Sequence, residues 1–153
     1  MARFEYETLL TCPPEAIFNY LLRPANVARI AAPSTGLSIV SGPEIVAVGS
    51  EIGFQIVVFG KVQAAVHRIT EIVHPQKVVE VQIKGPLKSW TQQHLYEPQG
   101  DGVRMIDIID FEPPGGLLGF VATEDRIASS LEDAFFERQQ QLERLLAAGG
   151  LTA

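Results

Sequence analysis

The chain has 153 residues, 46% hydrophobic and 20% charged, with a formal net charge of −6. This size and balance fit one globular domain with a sizeable core. The scattered Lys and Arg argue against nucleic acid or an anionic membrane as the main partner. Its single cysteine, Cys12, excludes an internal disulfide and a multi-cysteine zinc site.

The first strand is expected over residues 3–12, with Phe4, Tyr6, Thr8 and Leu10 on one side. Arg3, Glu5 and Glu7 interrupt the apolar core that a secretory leader needs. No run approaches the roughly 20 apolar residues of a membrane span, so no membrane insertion is expected and the cytoplasm is the expected location. Pro13-Pro14 stop the strand and open a short helix, where proline is tolerated in the first turn and Glu15 suits the helix dipole. Pro24 ends or kinks that helix, and a second short one is expected from about Asn26 to Ala31.

From Gly36 to Glu112 the period becomes two. Ile52, Phe54, Ile56 and Val58 alternate with Glu51, Gly53, Gln55 and Val57, and Val79, Val81 and Ile83 alternate with Glu80, Gln82 and Lys84. Turn residues at Ser41-Gly42-Pro43, Gly60, His74-Pro75, Gly85-Pro86 and Gln99-Gly100-Asp101-Gly102 divide this region into about six strands of an antiparallel meander. After Pro113-Pro114-Gly115-Gly116, a helix is expected from about Thr123 to Ala147. Thr123 can cap it, and Ile127, Leu131, Phe135, Leu142 and Leu145 form its apolar stripe. A helix of that length, about 35–40 Å, is the only element able to cover an apolar sheet face. The expected fold class is α+β: a curved antiparallel sheet of about seven strands around a long C-terminal helix, with two short helices after strand 1. The domain spans residues 1–148, and residues 149–153 form a frayed tail.

This order of elements resembles the helix-grip fold of the START and birch-pollen-allergen superfamily, also called SRPBCC, over nearly the whole chain. Pro13-Pro14-Glu15 with Ile17-Phe18 resembles its strand-to-helix junction. Gly85-Pro86, Trp90, His94, Tyr96-Glu97-Pro98, Asp107, Phe111 and Pro114-Gly115 resemble a bacterial branch labelled polyketide cyclase/dehydrase or ligand-binding protein. That branch often has more than one histidine near Trp90, whereas here Gln92 and Gln93 stand nearby and only His94 remains. The resemblance implies an internal cavity for lipids, hormones, polyketides or other apolar molecules. Only some members catalyse reactions.

Two ionisable residues interrupt the apolar face of the last hairpin. A two-residue turn at Gly100-Asp101 sets His94 opposite Asp107 and Tyr96 opposite Met105. Trp90, Gln92, His94 and Tyr96 then share a face with Val103, Met105, Asp107, Ile109 and Phe111. The pair reads in three ways: a buried polar pair that pins register, a device that orients a ligand's polar end, or a catalytic acid–base pair. Arg68 shares the parity of Val62, Ala64 and Val66, and reads either as an anchor in the same cavity or as a surface arginine at a strand end. Arg138 falls on the helix's apolar stripe, where its long stem suits a structural role. Phe54, Trp90, Tyr96, Met105, Phe111 and Phe135 read as one cavity or cluster. No paired metal-ligand spacing, phosphate loop or dinucleotide fingerprint is present, so neither metal nor cofactor is expected. The expected partner is a small apolar molecule. A cyclase or dehydratase using His94 and Asp107 is one alternative, and an accessory protein that presents a ligand or partner is another.

Overall fold

The structure, a computed structural model, describes residues 1–151. Strand β1 (Ala2–Leu10) is followed by helices α1 (Pro14–Leu21) and α2 (Pro24–Ile30) and a 3-10 turn (Pro33–Thr35). Strands β2 (Ser38–Ser41), β3 (Glu51–Val58), β4 (Lys61–Val73), β5 (Lys77–Lys84), β6 (Ser89–Gln99) and β7 (Gly102–Glu112) follow. Helices α3 (Leu118–Val121) and α4 (Glu124–Ala147) complete the described elements. The seven strands form one antiparallel sheet in the order β1-β7-β6-β5-β4-β3-β2. The first strand therefore pairs with the last, and the others form a meander.

Local chemistry accounts for the breaks. Pro14 and Pro24 each occupy a first-turn position of a short helix, where a missing N–H costs no helical bond. Pro24 thus opens α2 two residues before the start expected at Asn26. Gly100, at φ +57°, supplies the left-handed backbone of the β6–β7 loop. That two-residue loop pairs Gln99 with Gly102 and, further up the ladder, His94 with Asp107.

Thr123 caps helix α4, its hydroxyl accepting a hydrogen bond from the Arg126 N–H at 3.3 Å, and Glu124 and Asp125 sit at the positive end of its dipole. Its buried residues are Ile127, Phe135 and Leu142, spaced to face the sheet. The Phe135 ring packs 5.5 Å from both Phe4 and Tyr6, and the Tyr6 hydroxyl donates to Gln139 Oε1 at 2.8 Å. These contacts clamp the helix to β1.

Two apolar clusters hold the molecule. One gathers Leu10, Ile17, Phe18, Val103, Met105 and Leu142, and the other Phe4, Ile109, Phe111, Ala122, Ile127 and Phe135. Of the tail expected to fray from Gly149, residues 149–151 are described. Gly149 and Gly150 donate to the carbonyls of Leu146 and Leu145, and Leu151 is buried in the first cluster. Residues 152 and 153 lie outside the described residues.

Candidate functional site

A cavity of about 320 Å³ lies between the sheet, helices α1 and α2, and α4. Its walls are mostly apolar, including Leu21, Ile30, Ile52, Ile69, Val78 and Leu131. Of the residues singled out in the sequence, Phe54, Trp90, Gln92, His94, Tyr96 and Phe135 line it. Met105, Asp107 and Phe111 are buried in the protein body and do not line the cavity. The expectation of one cavity or cluster is corrected accordingly: Met105 packs with Tyr96 in one apolar cluster and Phe111 with Phe135 in the other, both enclosed because alternate β7 side chains sink beneath the helices.

Arg68 requires a second correction. Its guanidinium points away from the cavity and donates twice to Glu51 Oε2, at 3.0 and 2.6 Å, on the outer face. The inward parity of β4 is that of Ala65, His67 and Ile69, while Val62 is 66% exposed. The anchor reading of Arg68 is therefore replaced by an exposed ion pair.

Polar side chains from four adjacent strands and α4 converge at one side of the cavity. His94 Nδ1 lies 2.9 Å from Asp107 Oδ1, and His94 Nε2 lies 2.6 Å from Glu80 Oε1. The other Glu80 oxygen lies 3.0 Å from His67 Nδ1. Asp107 also accepts hydrogen bonds from Gln92 Nε2, at 3.2 Å, and from Arg138 Nη2. The Arg138 guanidinium stacks 4.4 Å from the centre of the Phe135 ring, a placement that suits its delocalised charge. Asp107 is only 1% exposed, and His94 only 18%. Two donors at the edge of this cluster, Trp90 Nε1 and Arg138 Nε, are enclosed without a hydrogen-bond partner.

The geometry sets the protonation of the central residue. An ionised carboxylate only accepts hydrogen bonds, so an imidazole held between two of them must carry a proton on each nitrogen. Burial opposes that charge on His94, but hydrogen bonds to Asp107 and Glu80, with their negative charges, outweigh it and push its pKa up to about 9. Burial likewise works against ionised Asp107, yet the Arg138 charge and the His94 hydrogen bond hold its carboxyl well below the usual range. Burial is also overcome at Glu80, where His67 and His94 hold the carboxyl low. Burial pushes the Tyr96 phenol up, and the nearby Asp107 charge adds to the effect. Two carboxylates and two cations, His94 and Arg138, leave the cluster balanced in charge. Such balance makes burial of the ions tolerable.

Sequence reasoning finds His94, Asp107 and Gln92 but misses His67 and Glu80, and it assigns Arg138 a structural role although it lines the cavity. The available signal is that β4, β5 and β6 each carry an ionisable residue close to the middle of the strand. Hairpin pairing then sets Glu80 against Ile69, beside His67, and against Gln92, beside His94. Among the described residues, no group of three or more His, Cys, Asp or Glu is arranged to hold a metal ion. No helix of the described residues is long and apolar enough to cross a membrane.

No family model matches the chain, and neither does any curated protein. Solved structures do. Ginseng major latex-like protein 151 from Panax ginseng is 15% identical, with a TM-score of 0.69 over 94% of this chain and 95% of its own. Ara h 8.0201 is 16% identical, with a TM-score of 0.69 over 96% of this chain and 98% of its own. TTHA0849 from Thermus thermophilus is 13% identical, with a TM-score of 0.71 over 96% of this chain and 99% of its own. At these identities the likeness establishes architecture alone: the chain shares with these structures a helix-grip fold, a seven-stranded antiparallel sheet closed around a long C-terminal helix.

Proposed function

We propose that this protein is a binding module for a small, mostly apolar molecule. The observation that carries this reading is the cavity of about 320 Å³, apolar over most of its wall, with the His94 cluster among its polar lining. Burial of an apolar ligand there is favourable at about 25 cal/mol per Å² of surface removed from water. The cluster around His94 and Asp107 supplies the polar contacts that fix orientation in such pockets. Likeness in fold to major latex-like protein 151 and Ara h 8.0201 is in keeping with this reading.

An acid–base enzyme of the cyclase or dehydratase type is the second reading. His94 has protons to give, but both its nitrogens are committed to carboxylates. It therefore has no lone pair with which to take a proton from a substrate. That geometry favours orientation over proton transfer.

Native mass spectrometry of the purified protein tests the binding reading. The expected result is a mass excess that disappears on denaturation, with a change in the emission of Trp90, the single tryptophan, when the bound molecule is extracted. The bare sequence mass, together with Trp90 emission indifferent to added propylbenzene, would contradict it.

A further inference from the structure

Resting on the binding reading above, we infer that His67, held by Glu80, is a hydrogen-bond acceptor for a ligand hydroxyl, so that the cavity selects apolar molecules carrying one O–H donor. The contact of His67 Nδ1 with Glu80 Oε2 at 3.0 Å fixes a proton on that nitrogen, because the carboxylate can only accept. The remaining nitrogen, Nε2, makes no hydrogen bond to the protein among the described residues, although His67 is 9% exposed and lines the cavity.

In the neutral ring, a proton held on Nδ1 leaves Nε2 as the acceptor. Glu80 and Asp107 pair with His94 and Arg138. The His67 ring is also fixed in place. Phe54 meets it edge-on at 4.8 Å, and Trp90 lies 6.2 Å away. Glu80 acts as the positioning residue: it holds the tautomer and orientation of His67 while its other oxygen accepts the hydrogen bond donated by His94. An aromatic-walled cavity with an oriented, unpaired imidazole acceptor suits a phenol or an alcohol on a hydrocarbon body. In a wholly apolar pocket the same hydroxyl would lose affinity through desolvation.

Propylbenzene and 4-propylphenol differ only by that hydroxyl and serve as the probes. Both are titrated by calorimetry into the wild-type protein and into His67→Phe. The quantity read is the ratio of 4-propylphenol to propylbenzene affinity. It should be at least one in the wild type and fall roughly tenfold in the variant, the scale expected when one partner of a buried hydrogen bond is removed. A measurement on the wild type alone guards against a variant that fails to fold. In ¹⁵N-labelled protein, the His67 Nε2 resonance should shift on saturation with 4-propylphenol and not with propylbenzene. Propylbenzene binding with the phenol rejected, a ratio unchanged by the substitution, or a His67 Nε2 resonance indifferent to the phenol would overturn this inference alone. Saturable binding of neither probe would overturn it together with the binding reading.

Discussion

Replacing Asp107 with alanine should lower stability by about 3–5 kcal/mol, the cost of breaking a buried ion pair by removing one partner. The reason is local. Asp107 is 1% exposed and receives the Arg138 guanidinium, the His94 imidazolium and the Gln92 amide. The alanine variant keeps Arg138 on the Phe135 ring with no counter-charge, and leaves His94 with Glu80 alone. The double variant Asp107→Leu with Arg138→Met removes both members of the central pair and replaces them with apolar groups. It should be less destabilised than Asp107→Leu alone, because no guanidinium is then stranded. Urea denaturation of the four proteins in this cycle measures the coupling. Losses that simply add, with no recovery in the double variant, would show that the pair is not a unit.

Stability should also depend on pH in a way that belongs to His94. Its pKa of about 9 lies above the ordinary histidine value of about 6.5. The contribution of its charged form is therefore complete below about pH 6.5 and is lost as pH rises through about 9. A shift of that size corresponds to on the order of 3 kcal/mol. Glu80 and Asp107 behave in the opposite sense. Their carboxyls are held below the ordinary range, so their contribution is present above about pH 4 and lost as pH falls below it. The cluster is thus most stabilising between about pH 5 and 6.5. In urea titrations from pH 5 to 10, the wild type should lose stability on the alkaline side, and His94→Gln should show a much flatter alkaline limb. Identical alkaline limbs would mean that the imidazolium contributes nothing to the fold.

The parts of this architecture that were legible in the sequence are those governed by short-range rules. A two-residue loop fixes register, so the facing of His94 and Asp107 follows from counting along β6 and β7. The cap at Thr123 and the stripe through Ile127, Phe135 and Leu142 set the long helix in the same way. The polar cluster was less legible because a cavity wall, unlike a dry core, does not demand an unbroken apolar row. In β5 the inward residues are Val78, Glu80 and Gln82, while Ile83 on the other face is 41% exposed. Polarity there no longer tells inside from outside, and Glu80 reads as a solvent-facing residue. The same failure in β4 sends Arg68 inward and hides His67. Irregular pairing between Ile69 and Glu71 further breaks simple alternation along that strand. Arg138 was half legible. Its place on the apolar stripe shows in the spacing, but its partner Asp107 lies on a strand 31 residues earlier, and only the folded sheet brings the two together.

Binding at the cavity itself is tested most directly by mapping propylbenzene onto ¹⁵N- and ¹³C-methyl-labelled protein by NMR. Saturable shifts should concentrate on Ala65, Ile69, Val78 and Leu131, with intermolecular contacts to the Trp90 ring, and should spare exposed residues such as Val40 and Val62. Shifts that fail to saturate, or that gather on the outer face and leave Ile69 and Leu131 unmoved, would contradict a ligand-binding cavity between sheet and helix.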